Sequence, residues 1–330
     1  MNARVALALR RARGEARSAE ALAEAVGRSP DEVVAAIEDL PRYGFRIESH
    51  PIQGFRLLSS PDALIEDELT CDLETARPGR TVRCVGETTS TNDLAWQAVE
   101  QEGAEADGLA VFAEYQTAGR GRRGSRWLAP RHTSILCSVV LIGLPGEKGR
   151  AVLTRAASLA AAEAVEAETG LDVGLRWPND LVIDDRKVGG VLVEARPERA
   201  GEGAAVVGVG MNATQRLEAF PADIRDGVTS LAVIGVRADR TLIARRLLER
   251  LDAVVREMGA EGRAETVRQA AARRCRTLGR RITVTDGTET VAGEVVDLDP
   301  DYALLLRLRE GTIRRLPAMT THVVSQSVGG

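Results

Sequence analysis

The sequence has few of the residues on which metal centres and thiol chemistry depend. Four cysteines and three histidines occur in 330 residues, with neither a C-x-x-C pair nor an H-E-x-x-H pattern. This scatter argues against a zinc site or a thioredoxin-type centre and favours reduced, structural thiols. We therefore predict chemistry that uses neither a protein-ligated transition metal nor a cysteine or serine triad.

Long apolar runs are also missing. None approaches the roughly 20 residues that cross a bilayer, and the basic N-terminal stretch has no clear small-residue cleavage site. The apolar share of 44%, the charged share of 28% and the formal net charge of −4 are typical of a soluble globular protein. We expect a cytoplasmic protein with no membrane partner, long enough for two or three domains.

Lysine is scarce. Of 44 basic residues only two are lysine, Lys148 and Lys187. Codon bias towards arginine explains the general preference. A retained lysine therefore indicates a position that needs a compact point charge rather than a planar fork. Lys187 lies in the stretch "RWPNDLVIDDRKVGG" and is a candidate functional residue.

Residues 1–60 are predicted to form three helices followed by a two-stranded hairpin. Ser29, Pro30 and Glu32 together carry the pattern of a capping box with proline at the first helical position. The stretch "YGFRIESHPIQGFRLL" alternates between apolar and polar residues on either side of a turn. Three helices and a wing predict a winged helix-turn-helix, and residues 61–70 are predicted to be a linker.

The rest of the chain divides at about residue 275. Residues 71–274 alternate strands and helices, which predicts a mixed α/β domain and an α+β fold class for the whole chain. Residues 275–330 contain short strands only, with turn signals at Asp286-Gly287 and Glu310-Gly311. This pattern predicts a small β-barrel of the SH3 kind.

The stretch "AEYQTAGRGRRGSRWLAP" concentrates arginine and glycine between two predicted strands. It could be a solvated basic turn, an RNA-binding Arg-Gly segment, or a cradle in which glycine amides and guanidinium groups surround an anion. It formally fits G-x-G-x-x-G, but its charges do not suit a tight turn that opens a helix, and the Walker A spacing is absent.

Four motifs follow one another between residues 88 and 212: "TTSTNDLAW", "EYQTAGRGRRGSRW", "RWPNDLVIDDRKVGG" and "GVGMN". Together they resemble the biotin protein ligases, specifically the bifunctional kind that doubles as a biotin operon repressor. The resemblance implies a class II synthetase-like biotin/lipoate ligase fold for residues 71–274. It also implies that biotin, ATP and Mg²⁺ give biotinyl-5′-AMP, and that biotin then passes to a lysine of the carrier protein of acetyl-CoA carboxylase.

Two alternatives stay open beside this function. One is a lipoate or octanoate–protein ligase of the same fold. The other is a biotin-sensing transcription factor with vestigial catalysis, although this would require loss of the loop arginines, Lys187 or Asp180, all of which are present. The resemblance further implies a homodimer.

The resemblance also assigns roles to residues. The catalytic residues it implies are Lys187, Arg120 and Asp180. The biotin-binding residues it implies are Ser90, Thr91, Asn92, Gln116, Gly119, Arg120, Lys187, Gly190 and Gly208. The ATP- and AMP-binding residues it implies are Arg122, Arg123, Trp127, Asn179, Lys187 and Asn212. The sequence departs from the family at Ser125, where a basic residue is frequent, and at Arg176, where lysine is frequent.

The third predicted helix, "SPDEVVAAIEDL", bears on DNA binding. In a winged helix-turn-helix this helix enters the major groove. Here it carries four carboxylates and neither lysine nor arginine, which opposes the counterion release that supplies most non-specific affinity. We therefore predict weak binding of operator DNA, or none, and a doubtful role in transcription regulation.

Overall fold

The computed structural model describes residues 1–143, 147–196, 203–259 and 264–327. The helices are α1 (Ala3–Arg11), α2 (Ala19–Val26), α3 (Pro30–Asp39), α4 (Glu66–Thr70), α5 (Thr91–Glu102), α6 (Glu147–Thr169), α7 (Arg240–Gly259) and α8 (Ala264–Arg274). The first strands are β1 (Arg46–His50), β2 (Gly54–Ser59), β3 (Thr81–Val85), β4 (Leu109–Ala113), β5 (Ser134–Ile142), β6 (Gly174–Arg176) and β7 (Asp180–Ile183). The remaining strands are β8 (Arg186–Arg196), β9 (Ala204–Asn212), β10 (Arg281–Thr285), β11 (Thr290–Leu298), β12 (Leu304–Arg307), β13 (Ile313–Leu316) and β14 (His322–Ser327).

A seven-stranded sheet in the order β3-β4-β5-β9-β8-β7-β6 forms the centre of the molecule. Only β3 and β4 are parallel to each other; the other neighbours are antiparallel. Successive residues of a strand point to opposite faces, so Cys137 and Val139 pack with α6 and α7, whereas Val140 packs with α5. Both faces of the sheet are thus covered, which explains why β4 and β5 are almost wholly apolar.

The N-terminal unit consists of α1, α2, α3 and the antiparallel hairpin β1-β2. The capping box is confirmed, since Ser29 Oγ accepts from Glu32 N and the Glu32 carboxylate accepts from Ser29 N. Ser18 caps α2, which ends at Gly27 in the left-handed region. The apolar pattern predicted a first helix over residues 3–13, but α1 ends at Arg11.

The junction between this unit and the central sheet is buried and charged. Residues 61–70, predicted to be a linker, contain α4, whose Glu68 is fully buried. Arg10 of α1 donates from Nε and Nη2 to the two carboxylate oxygens of Glu68, at 2.6 and 2.9 Å, and its Nη1 lies 3.0 Å from Asp239. Burial opposes the charge of Arg10, but these two carboxylates outweigh it and raise its pKa.

The C-terminal strands form an antiparallel sheet in the order β13-β12-β11-β10-β14. Hairpins occur at both predicted turns, with Gly287 and Gly311 at positive φ. The strand β14 and the helix α8 were not predicted from the sequence. Across the described ranges, no helix has both the length and the apolar character needed to span a membrane.

Candidate active site

A cavity of about 180 Å³ lies on the face of the central sheet that α5 covers. All but three of the predicted site residues line it. Those that line it are Ser90, Thr91, Asn92, Gln116, Arg120, Arg122, Trp127, Asn179, Asp180, Lys187, Gly190 and Gly208. The three that do not are Gly119, Arg123 and Asn212. Residues from all four sequence motifs therefore meet at one place or directly beside it.

The floor of the cavity is a hydrogen-bonded cluster at the start of α5. Ser90 Oγ accepts from Asn92 N, and Gln116 Oε1 accepts from Thr91 N at 2.8 Å. Ser138 Oγ lies 2.6 Å from both Thr91 Oγ1 and Asn92 Oδ1. The oxygen of the Asn92 amide is therefore engaged, while its buried Nδ2 has no hydrogen-bond partner among the residues that the structure describes. A buried donor of this kind is costly unless a ligand or water accepts from it.

Two glycines of β9 allow α5 and the arginine-glycine loop to approach the sheet. A Cβ atom at Gly208 would lie 2.5 Å from Asn92 Oδ1, and one at Gly210 would lie 2.7 Å from the Trp127 ring. Both positions thus require glycine for space. Trp127 lines the same cavity, and its buried Nε1 has no hydrogen-bond partner within the described chain.

The arginine-glycine loop closes one side of the cavity. Arg120 Nη1 lies 2.7 Å from Asp93 Oδ1 on α5, and Nη2 lies 3.4 Å from Glu194 Oε1 on β8. Burial opposes the Arg120 charge, but these two carboxylates outweigh it and raise its pKa. Within the loop, a Cβ atom added at Gly119 would lie 2.6 Å from the Trp127 carbonyl oxygen.

The next two arginines point towards the C-terminal sheet. Arg122 donates to the carbonyl oxygen of Ala318, and Arg123 contacts both the Thr320 carbonyl and His322. Burial lowers the pKa of Arg122, and the neighbouring Arg123 adds to this effect. The guanidinium groups that were predicted to bind phosphate therefore contact residues 318–322.

The opposite wall is built by the hairpin of β6 and β7 together with β8. Lys187 Nζ lies 2.6 Å from Asp180 Oδ1, and Arg176 Nη2 lies 3.1 Å from Asp180 Oδ2. Lys187 Nζ also lies 5.8 Å from the centre of the Trp127 ring, within reach of a cation–π attraction. Asn179 Nδ2 donates to the Val191 carbonyl, which fixes the turn ahead of Asp180.

Asn212 lies at the end of β9 in a separate buried network. Its Nδ2 donates to the Thr229 carbonyl at 3.0 Å, and its Oδ1 accepts from Gln215 at 2.7 Å. With both ends of its amide engaged in this way, the side chain has a structural role.

Several residues of the site were not found from the sequence. Ser138 lies in β5, which is apolar apart from its two serines, so the apolar pattern predicts only a buried strand there. Asp93 lies within the first motif and Glu194 lies beyond the third, but the sequence does not show that both contact Arg120. A second cavity, of about 370 Å³, lies at the junction of α1 with α7 and contains none of the predicted residues. No cluster of three metal-ligating side chains occurs in the described part of the chain.

Comparisons with known proteins agree with this geometry. Residues 85–212 match the Biotin/lipoate A/B protein ligase family, and residues 277–318 match the Biotin protein ligase C terminal domain. A biotin–[acetyl-CoA-carboxylase] ligase of Mycobacterium tuberculosis is 36% identical over 245 residues, covering 71% of this chain and 86% of that protein. The bifunctional ligase/repressor BirA of Bacillus subtilis is 27% identical over 296 residues, covering 89% of this chain and 90% of that protein.

A solved structure shares the fold. Biotin protein ligase from Aquifex aeolicus in complex with biotin and ATP superposes with a TM-score of 0.63 at 25% identity, covering 74% of this chain and 98% of that one. With the central sheet, the C-terminal β domain and the motif residues gathered at one cavity, the chain belongs to the biotin protein ligase family.

Proposed function

We propose that this protein activates biotin with ATP to give biotinyl-5′-AMP and transfers the biotinyl group to a lysine of the biotin carboxyl carrier protein of acetyl-CoA carboxylase. The observation that carries this proposal is the meeting of the four motifs at one cavity. The relatives support it, since one is named for biotin and acetyl-CoA carboxylase and another was solved with biotin and ATP.

In the first step, a biotin carboxylate oxygen attacks the α-phosphorus of ATP, the bond to the β-phosphate bridge breaks, and pyrophosphate leaves. Two anions must approach each other, so the site has to neutralise charge. We assign Arg120 and Lys187 to the biotin carboxylate and α-phosphate. Asn92 Nδ2 at the cavity floor, which no described residue accepts from, suits a ureido carbonyl, and Ser90, Thr91 and Gln116 complete that polar end.

We assign the nucleotide to the side of the cavity that Trp127 and Asn179 line. Arg122 and Arg123 would turn from the backbone of residues 318–322 to the phosphates, because a charged acceptor binds a guanidinium more strongly than a carbonyl does. We place Gly119, Gly190 and Gly208 as close-approach positions and Asn212 as support for the nucleotide end.

Mg²⁺ fits this site as a partner of the ATP phosphates. Asp180 already pairs with two cations, and the described residues form no cluster of acidic or His/Cys ligands. Mg²⁺ commonly keeps several waters and binds through substrate phosphates with one or two carboxylates. When bound, it would neutralise charge on the departing pyrophosphate.

In the second step the carrier lysine amine attacks the carbonyl carbon of the adenylate. The carbon–oxygen bond to AMP breaks, AMP leaves with the electron pair, and the amine loses a proton. We assign Asp180 to receive the incoming amine, because it is the carboxylate at the cavity wall nearest to Lys187.

The test is incubation with biotin, ATP, Mg²⁺ and a purified biotin carboxyl carrier domain, read by mass spectrometry. The expected result is one biotin on one carrier lysine, and biotinyl-5′-AMP when the carrier is omitted. Lipoate or octanoate in place of biotin is the comparison, since a ligase of the same fold could use either. Transfer of lipoate or octanoate without any biotin product would overturn the proposal.

We further propose that residues 1–60 form a winged helix-turn-helix that binds operator DNA weakly or not at all. In support, Asp31, Glu32 and Glu38 of α3 are exposed, and the helix carries no cation to meet a phosphate. We propose likewise that residues 71–274 are the catalytic domain, that residues 275–330 form an SH3-like barrel, and that the chain is a homodimer.

Titration against DNA from upstream of its own biotin genes tests the DNA proposal. The expected result at physiological salt is no sequence-selective complex, with or without biotin and ATP. Tight, biotin-dependent binding would contradict the proposal and would agree with the repressor name of the Bacillus subtilis relative. Sedimentation of the same samples measures the oligomeric state.

A further inference from the structure

We propose that Arg176 is a positioning residue for the transfer step: it holds the Asp180 carboxylate at the cavity wall when Lys187 leaves it for the substrates. This inference rests on the proposed function. Arg176 was noted in the sequence only as a departure from lysine, and no role was assigned to it.

The geometry of the hairpin places the two residues face to face. Arg176 ends β6 and Asp180 begins β7, and the two are direct partners in the antiparallel register. Arg176 Nη2 lies 3.1 Å from Asp180 Oδ2, while Lys187 Nζ lies 2.6 Å from Oδ1. Each carboxylate oxygen therefore has its own cation, and both side chains of the Arg176–Asp180 pair are largely shielded from solvent.

Arg176 is itself anchored by a second contact. Its Nη1 donates to the Asp185 carbonyl in the turn between β7 and β8, at 3.4 Å. The Asp185 carboxylate in turn lies 2.6 Å from Arg280, which precedes the C-terminal sheet. A planar fork can reach the carboxylate and the turn at the same time, which a lysine ammonium on a flexible stem does less well.

The charge balance changes during the reaction. In the structure two cations contact Asp180. When Lys187 turns to the biotin carboxylate and α-phosphate, Oδ1 loses its partner and Arg176 alone keeps the carboxylate in place. The vacated Oδ1 can then accept a hydrogen bond from the ammonium of the carrier lysine. That lysine releases one proton to solvent and its nitrogen attacks the adenylate carbonyl. AMP leaves with the bonding pair, and the new amide nitrogen gives up its second proton to solvent.

This role separates the two half-reactions. Adenylate formation needs Lys187 on the substrates and makes no use of where Asp180 points. Transfer needs Asp180 at the cavity wall. Loss of Arg176 should therefore affect carrier use much more than biotin or ATP use, whereas a collapse of the hairpin would damage both together.

The experiment compares Arg176→Gln and Arg176→Lys with the unaltered protein in each half-reaction. Biotinyl-5′-AMP formation is measured without carrier, and transfer is measured from preformed adenylate over a range of carrier concentrations. Arg83→Gln is the matched control, because it removes an arginine paired with Glu102 at 2.7 Å that does not line the cavity. The melting temperature of each variant reports on folding.

We expect Arg176→Gln to lower kcat/KM for transfer about tenfold, through a higher KM for carrier, with adenylate formation changed less than about threefold. Arg176→Lys should recover part of the loss, and Arg83→Gln should match the unaltered protein. Unchanged transfer in Arg176→Gln would overturn the inference, as would an equal loss in both half-reactions. Absence of biotinyl-5′-AMP from the unaltered protein would instead overturn the proposed function itself.

Discussion

Nη1 of Arg120 lies 2.7 Å from Oδ1 of Asp93, so an ion pair connects the arginine-glycine loop to the first turn of α5. Both side chains are about two-fifths exposed, and an ion pair in such surroundings contributes about 1 kcal/mol or less. A contact of this strength orders the loop over the cavity yet yields to a ligand carboxylate that makes a stronger bond.

Arg120→Gly should release biotinyl-5′-AMP early. The loop would lose its contacts with Asp93 and Glu194 and the cation assigned to biotin, so the adenylate would escape and label lysines of a bystander protein. Biotin on serum albumin added to the reaction is the measurement. Asp93→Asn keeps the guanidinium and should stay within about threefold of the unaltered protein. Equal albumin labelling by Arg120→Gly and the unaltered protein would contradict this prediction.

Lys187→Arg should lower adenylate formation by about a hundredfold or more, although the charge is kept. The reason is that little space surrounds the Lys187 ammonium. Cε and Nζ of Lys187 both lie 3.4 Å from the Cβ position of Gly190, and Nζ lies 2.6 Å from Asp180. A guanidinium is larger and cannot take the place of one ammonium. Pyrophosphate release is the readout, and near-normal kinetics would show that charge alone suffices there.

Gly208→Ala should weaken biotin binding by disturbing Asn92. The added Cβ would lie 2.5 Å from Asn92 Oδ1, so the amide must move away from Ser138 and the cavity floor. Gly227→Ala is the control, because its Cβ would meet no atom within 4 Å. Calorimetric titration with biotin should show that the affinity for biotin falls at least about tenfold in Gly208→Ala and is unchanged in Gly227→Ala. A change of this order corresponds to one disrupted polar contact.

Glu68→Gln should destabilise the protein by about 3–5 kcal/mol, because it leaves Arg10 as a buried charge without its main partner. Asp72→Asn removes an equally close partner from Arg4, but that pair is about half exposed, so its loss should destabilise the protein far less. Denaturant unfolding of the two variants measures both values. If both variants lost a similar free energy of unfolding, burial would not determine the strength of these ion pairs.

The sequence indicates the elements well where a residue's role is local. Caps at Ser18 and Ser29, the apolar strand β5 and the glycine-bounded α6 all follow from neighbours along the chain. The helix α8 was missed because only Val267 and Ala271 of it are buried, which leaves a weak apolar period.

Prediction of the site from the sequence is limited in the same way as prediction of the elements. Each motif is visible in the sequence, yet the partners of its charged groups lie on other elements. Arg122 meets Ala318 across almost two hundred positions, and Arg120 meets Glu194 across more than seventy. No spacing rule covers such pairs, because the tertiary fold alone determines which carbonyl or carboxylate faces a given guanidinium.

The buried pair of Arg10 and Glu68 has a consequence for shortened forms of this chain. Cutting away residues 1–60 removes the arginine and uncovers the face of α4 that carries Glu68, so the shortened chain loses this buried ion pair. Such a fragment would lose stability for a reason unconnected with nucleic acid. The N-terminal unit is therefore an ion-pair partner of the rest of the chain.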